Sequence, residues 1–421
     1  MTDHPIRLEL EDDLRRSRLT VFFRLLLAIP LFIWLALWTV VVVVAAVLGW
    51  FAAIVLGRLP GGLHRFFSAY VHCATQVGAY LSIAANPYPS FTGEGGYPVD
   101  VTLPEAQPQA RWKIALRLPL ALPALLLAAA LGSGLTGGGG STTSDNPGQW
   151  FATSGVGGIA AVCAFLGWFA AMATGRMPEG LRNLAAYGLG YTAQVYAYAL
   201  LLTDRYPNAD PDAIGPEWAL PPHPVRLEVT DDGRRSRLTT LFRVLLALPH
   251  LVWATLWLPF AALAAIGNGV FALFAGHSWL PLHRFLAAFV RYQAHLGAFL
   301  FMVANPFPGF VGKPGYPIDI DIAPPAPQRR LITFFRLPLA VPAFILSGTL
   351  GFVVFVVGLL GWFAALATGR MPEGLRNLGA IAIRYQAQTN TYASTLTDRY
   401  PNSSPALRTA VEPAPLEALE P

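Results

Sequence analysis

The residues with most to offer chemistry lie in four related apolar segments, where matching positions four apart are polar in all but one case: His72 and Gln76, Gly190 and Gln194, Arg291 and His295, Arg384 and Gln388. Four residues is about one helical turn, so each pair falls on one face, in a stripe that also holds Arg65 and Arg284. Imidazole, amide and guanidinium groups gathered on one seam have the means to bind a lipid headgroup, an anionic ligand or a proton. The reading the sequence favours is plainer: polar residues at a headgroup interface, or sealing helices to one another. His295 alone makes no ligand set.

A second constellation is GRMPEGLRNL at Gly175 and Gly369, which sets Arg176 and Arg182, and again Arg370 and Arg376, around a Pro-Glu-Gly turn. Arginines beside free helix amides are the means of phosphate capture. A helix start explains most of the same motif, because Pro178 and Pro372 suit a first turn and Glu179 and Glu373 complement its dipole. The sequence holds no glycine-rich phosphate loop, paired catalytic carboxylates, HExxH, nucleophile elbow or cysteine metal cluster. We therefore expect no enzyme, no cofactor and no metal.

The elements that position these residues are written twice. HPIRLEL at His4 returns as HPVRLEV at His223, an offset of 219, and ANPYP at Ala85 returns as ANPFP at Ala304. The offset drops to 194 between GWFAAMATGRMPEGLRNL at Gly167 and its copy at Gly361, so 25 extra residues lie between Leu131 and Gly167. Duplication this faithful points to an architecture whose faces match their copies. Each half divides again, giving quarters at 1–104, 105–215 with a Gly/Ser loop at 132–156, 223–323 and 324–402, and then a tail at 403–421 that is Pro-, Ala- and Glu-rich and expected to be disordered. Every quarter begins its long apolar run with an arginine six residues before a proline: Arg24, Arg117, Arg243 and Arg336. The runs end in GRLP, GRMP or the relic GHSWLP, and the third segments close at NPYP, DRYP, NPFP and DRYP.

Hydrophobic residues make up 54% and charged residues 13%, with a mean hydropathy of +0.48, which is a membrane composition. The net charge of +5 suits anionic lipid headgroups and calls for no nucleic acid. Cys73 and Cys163 lie in apolar surroundings with no metal spacing. A helix over the first run, from Leu19 to Gly57, would reach roughly 58 Å, about twice the hydrocarbon thickness. A break is therefore expected in each run, giving helical hairpins at 19–38 and 40–57, 114–131 and 156–175, 238–257 and 259–276, and 331–350 and 352–369. Lysines and arginines cluster at both ends of the runs and are missing between them, so the positive-inside rule puts the ends, and both termini, in the cytoplasm. The expected fold is thus an all-α polytopic membrane protein of four repeated hairpins with amphipathic third helices, at eight spans, or twelve if the third segments cross. Alternation of apolar and polar residues predicts short cytoplasmic strands at 5–11, 99–103, 225–230 and 318–322, one pair per half.

HPVRLEV at His223, LFRVLLALPH at Leu241, GRMPEGL at Gly175 and LLTDRYPN at Leu201 resemble the repeats of a bacterial membrane family, domain of unknown function 4389, common in actinobacteria. The resemblance covers nearly all of residues 4–402, and the third quarter departs from it with GHSWLP. It implies a multi-spanning protein of the bacterial plasma membrane and carries no activity or site residues. The function expected is a membrane scaffold or envelope-associated factor, with anionic lipid headgroups or a cytoplasmic protein as partners. The alternatives are a small-solute or lipid transporter, whose polar path between the halves would use Arg291, His295, Arg384 and Gln388, and, further off, a flippase-like or headgroup enzyme.

Overall fold

The computed structural model describes residues 4–132 and 158–407. In the first half the elements are β1 (Leu8–Leu10), α1 (Arg18–Leu56), α2 (Gly61–Leu81), β2 (Val99–Val101), α3 (Arg111–Ala115), α4 (Arg117–Leu131), α5 (Ile159–Thr174), α6 (Glu179–Ala199) and the single turn α7 (Pro211–Ile214). In the second half they are β3 (Val225–Val229), α8 (Arg237–Leu241), α9 (Arg243–Ala275), α10 (Leu280–Leu300), β4 (Ile318–Ile322), α11 (Arg330–Phe334), α12 (Arg336–Thr368) and α13 (Glu373–Ala393). The chain is mostly helical, and three of its described helices, α1, α9 and α12, are long and apolar enough to cross a membrane.

The long runs are single helices where hairpins were expected. α1 passes unbroken through 38–40, α12 through 350–352, and α9 through Trp257, Leu258 and Pro259. One proline removes one backbone bond, and long apolar flanks on both sides keep the helix intact around it. The expected breaks came from fitting a run to the thickness of a bilayer, a constraint that acts only on a helix standing across one. In the second quarter α4 and α5 are the two helices expected, but they follow end to end: Gly158 begins α5 against the carbonyls of Ala129, Ala130 and Gly132. The inserted loop at 133–157 lies outside the described residues. What ends each long helix is the glycine of the GR-x-P motif. Gly57, Gly175, Gly276 and Gly369 all take φ between 71° and 78°, and each returns its amide to a carbonyl four residues back. GHSWLP keeps Gly276 and so keeps the stop.

Three layers result. Trp168 of α5 bonds the carbonyl of Val21 at the start of α1, and Trp50 near its end bonds Ile114, so the first two long runs lie antiparallel. Trp362 of α12 bonds Thr240 in the same way in the second half. At the centre, Leu122, Pro123 and Leu126 of α4 face Leu359, Leu360 and Phe363 of α12. The long runs thus form one antiparallel layer, with α1 and α9 at its edges. Beneath it lie the third helices α2, α6, α10 and α13, where the main core sits around Leu127, Leu131, Ile159, Tyr187, Val353 and Ala382. Close approach needs small residues there: Gly188 of α6 lies against the carbonyl of Leu131, and Gly78 of α2 against Leu189.

The third layer holds the strands, one antiparallel pair per half: Leu8 opposite Val101 and Leu10 opposite Val99, then Val225 opposite Ile322 and Val229 opposite Ile318. Asn377 of α13 donates to Asp210 at 3.0 Å, and Gly374 packs on Ala209, which joins the halves on this same side. Residues 403–407, expected within a disordered tail, are packed into the fold, with Ser403, Ser404 and Ala406 buried; 408–421 lie outside the described residues.

Candidate functional site

The polar columns of the third helices face the strands. His72 Nδ1 lies 2.6 Å from Asp100 of β2, and Gln76 donates to the same carboxylate at 3.0 Å and to the carbonyl of Glu94 at 2.8 Å. In the third quarter His295 Nε2 lies 2.8 Å from Asp319 of β4, while Arg291 donates to the carbonyl of Ile320 at 3.0 Å and stands 3.5 Å from that carboxylate. The even quarters use the amide for the other strand. Gln194 donates to the carbonyl of Ile6 and Gln388 to that of Val225, and each accepts from the backbone of the closing turn, at Asn208 and Asn402. Arg384 is buried and gives its guanidinium to the carbonyls of Ser404 (2.5 Å) and Ala406. The seam is therefore a set of latches holding strands and closing turns to the third helices. Arg291 with His295, and Arg384 with Gln388, address different segments and line no common path among the described residues.

The four arginines of the GRMPEGLRNL copies divide by depth. Arg176 and Arg370 form antiparallel backbone bridges with Arg15 and Arg234, and their side chains are exposed. Arg182 and Arg376 donate to the carbonyls of Asp12 (3.1 Å) and Asp231 (2.7 Å), fixing the chain that leads into α1 and α8. The motif is thus half internal brace and half surface cation.

A more regular device is absent from the sequence-based expectations. Arg24, Arg243 and Arg336, buried in the long helices, each donate to the carbonyl 56 residues on, at Tyr80, Phe299 and Tyr392, all at 2.6 Å, and lie over the ring of that same residue. Each also reaches a second carbonyl, at Ala85, Ala304 and Thr397. Arg117 does the equivalent through Thr203, Gln109 and the Tyr198 ring. What they clasp is strained: Ile83, Leu201, Met302 and Thr395, one per quarter, hold φ between 58° and 69°, a left-handed conformation unfavourable for residues with a Cβ. Arg16 and Arg235 bond the carbonyls of Ile83 and Met302, and Gln109 and Gln328 those of Leu201 and Thr395. Constant spacing between an arginine and an aromatic is the signal in the sequence that could have found them.

Outside the helices, burial moves several ionisable groups, among them His223 and Asp210. It pushes the His223 imidazole, at the lead into β3, down to about 4, against its hydrogen bonds to the Val225 backbone. It raises the Asp210 carboxyl, where the bond from Asn377 pulls the other way. Between α4 and α12 lies an apolar cavity of about 530 Å³, lined by Leu122, Leu126, Tyr191, Leu359 and Phe363.

In comparison with known proteins, the model of the family described as "Domain of unknown function (DUF4389)" matches residues 18–93, 148–209 and 330–404, together half of the chain. The three stretches fall in the first, second and fourth quarters; the quarter carrying GHSWLP is unmatched. No curated protein and no solved structure matches.

Proposed function

The chain belongs to the DUF4389 family, and we propose that it is a non-enzymatic scaffold of the bacterial plasma membrane, anchored by its long apolar helices and offering its strand face to cytoplasmic partners. One observation carries this reading: all seven seam residues are engaged inside the fold, as latches between third helices, strands and closing turns. A transport path needs polar groups free to meet a solute, and these have internal partners.

Purified full-length protein in vesicles of phosphatidylcholine and phosphatidylglycerol tests the reading. We expect neither small-solute efflux nor lipid scrambling above protein-free vesicles. Saturable flux that disappears in Arg384→Lys, with an unchanged thermal midpoint, would replace the scaffold by a transporter using Arg291, His295, Arg384 and Gln388.

A further inference from the structure

Helices of 33 and 39 residues run roughly 50 and 58 Å, far more than the hydrocarbon needs. The strand layer lies over the middle of the third helices, not at their ends: Leu8 packs on Gly190, halfway along α6, while β2 is latched by His72 and β4 by Arg291, both mid-helix. Irregular polar backbone and the exposed side chains of Glu94, Glu105, Arg226 and Glu228 belong to this layer. If the long helices stood across the bilayer, that layer would lie beside them at hydrocarbon depth, where exposed loops and open sheet edges are not tolerated.

Each central helix keeps one apolar face uncovered along its whole length, as Leu337, Val341, Phe344, Phe352, Phe355 and Phe363 do on α12. At both ends of the layer stand exposed arginines. Arg15, Arg18 and Arg176 gather at the start of α1, where Arg18 bonds the carbonyl of Ala173. Arg58 and Arg111 stand at its far end, with Arg111 on Val55, and Arg237 and Arg330 repeat the arrangement on Ala367 and Phe274.

We propose that the layer of long helices lies flat in one leaflet of an anionic bilayer, its uncovered face toward the acyl chains and its two arginine-lined ends at the headgroups, and that no described helix crosses. A single helix layer of about 10 Å fits within a leaflet of about 15 Å. Guanidinium groups at both ends complement phosphate. The inference deepens the membrane reading above and rests on it.

Nitroxide labels on Leu337→Cys, Phe352→Cys and Phe363→Cys, at the start, middle and end of α12, and on Glu228→Cys of β3, measure it by relative accessibility to oxygen and to a water-soluble nickel chelate. The two native thiols are buried and need not be removed. Full-length protein in phosphatidylcholine and phosphatidylglycerol vesicles should give one shallow depth at all three helix positions, roughly 5–10 Å below the headgroups, with Glu228→Cys open to nickel. A maximum at Phe352→Cys, close to the bilayer centre, with Glu228→Cys closed to nickel, overturns the proposal in favour of crossing helices. Labels shielded from both reagents at all three positions overturn it in favour of a second copy covering the apolar face. Release of the protein by alkaline carbonate would instead remove the membrane reading itself, so the two failures are separable. A thermal midpoint matching the unlabelled protein verifies that each label leaves the fold intact.

Discussion

The long helices and the third helices are both rich in apolar residues and lie against each other, yet they are built on opposite terms. The third helices are covered on two sides, by long helices above and strands below, and bury polar side chains along their length: in α13, Arg384, Gln388 and Thr389 are all buried and all hydrogen-bonded. The long helices are covered on one side and present bare Leu, Val and Phe on the other. Hydrophobicity therefore fails to rank burial here, because the most apolar elements are the most exposed within the fold. That inversion is intelligible when lipid is the solvent on one side.

The sharpest test of the contrast sets a clasp against the bare face. Arg243→Ala strips two carbonyls of α10 and its closing turn of their donor and should cost about 2–4 kcal/mol, measured by unfolding in detergent micelles. Phe355→Ala on the uncovered face should stay within about 0.5 kcal/mol. Equal losses would mean that the bare face is packed, and the comparison would fail. Glycines sharpen it next. A Cβ at Gly188 would run into the carbonyl of Leu131, so Gly188→Ala should lose about 1–3 kcal/mol. Gly348 of α12 meets nothing within 4 Å, and Gly348→Ala should be neutral or gain up to about 1 kcal/mol in the same assay.

A smaller effect is expected at the latches. Asp319 accepts from His295 and from the backbone amides of Gly315 and Ile320, so Asp319→Asn should cost about 1–2 kcal/mol. Asp100→Asn should cost less, since His72 is partly open to solvent. Smallest is the response to acid. The folded His223 titrates near 4 and the unfolded one near 6.5, so between those values the unfolded chain binds more protons and stability falls as pH drops. The loss, on the order of 1 kcal/mol after screening, should be seen in midpoints taken at pH 7 and pH 5 and should shrink in His223→Asn.

Elements with their own local signal were legible in the chain. Alternation located the strands of both sheets, the GR-x-P glycines located the ends of the long helices, and the N-P and D-R-Y-P motifs located the ends of the third ones. The hairpins were not legible, because neither a proline nor a length is a break: a helix has to end only where its own backbone bonds do. At the candidate site the polar columns were found by spacing, but their partners were not: Asp100, Asp319, Val225 and Ser404 lie 20 to 163 residues away from the side chains they meet.

The sequence by itself determined the repeat, the apolar character and where the long helices stop, because each is read from residues close together in the chain. Only the tertiary structure decided that the seam latches strands, that buried arginines clasp four strained turns, and that the polar layer lies alongside the helices. Those depend on which surfaces meet. An apolar side chain reads the same in sequence whether a helix or a lipid covers it, and an arginine reads the same whether it faces a phosphate or a carbonyl. The identity of the covering group is a property of the assembled layers.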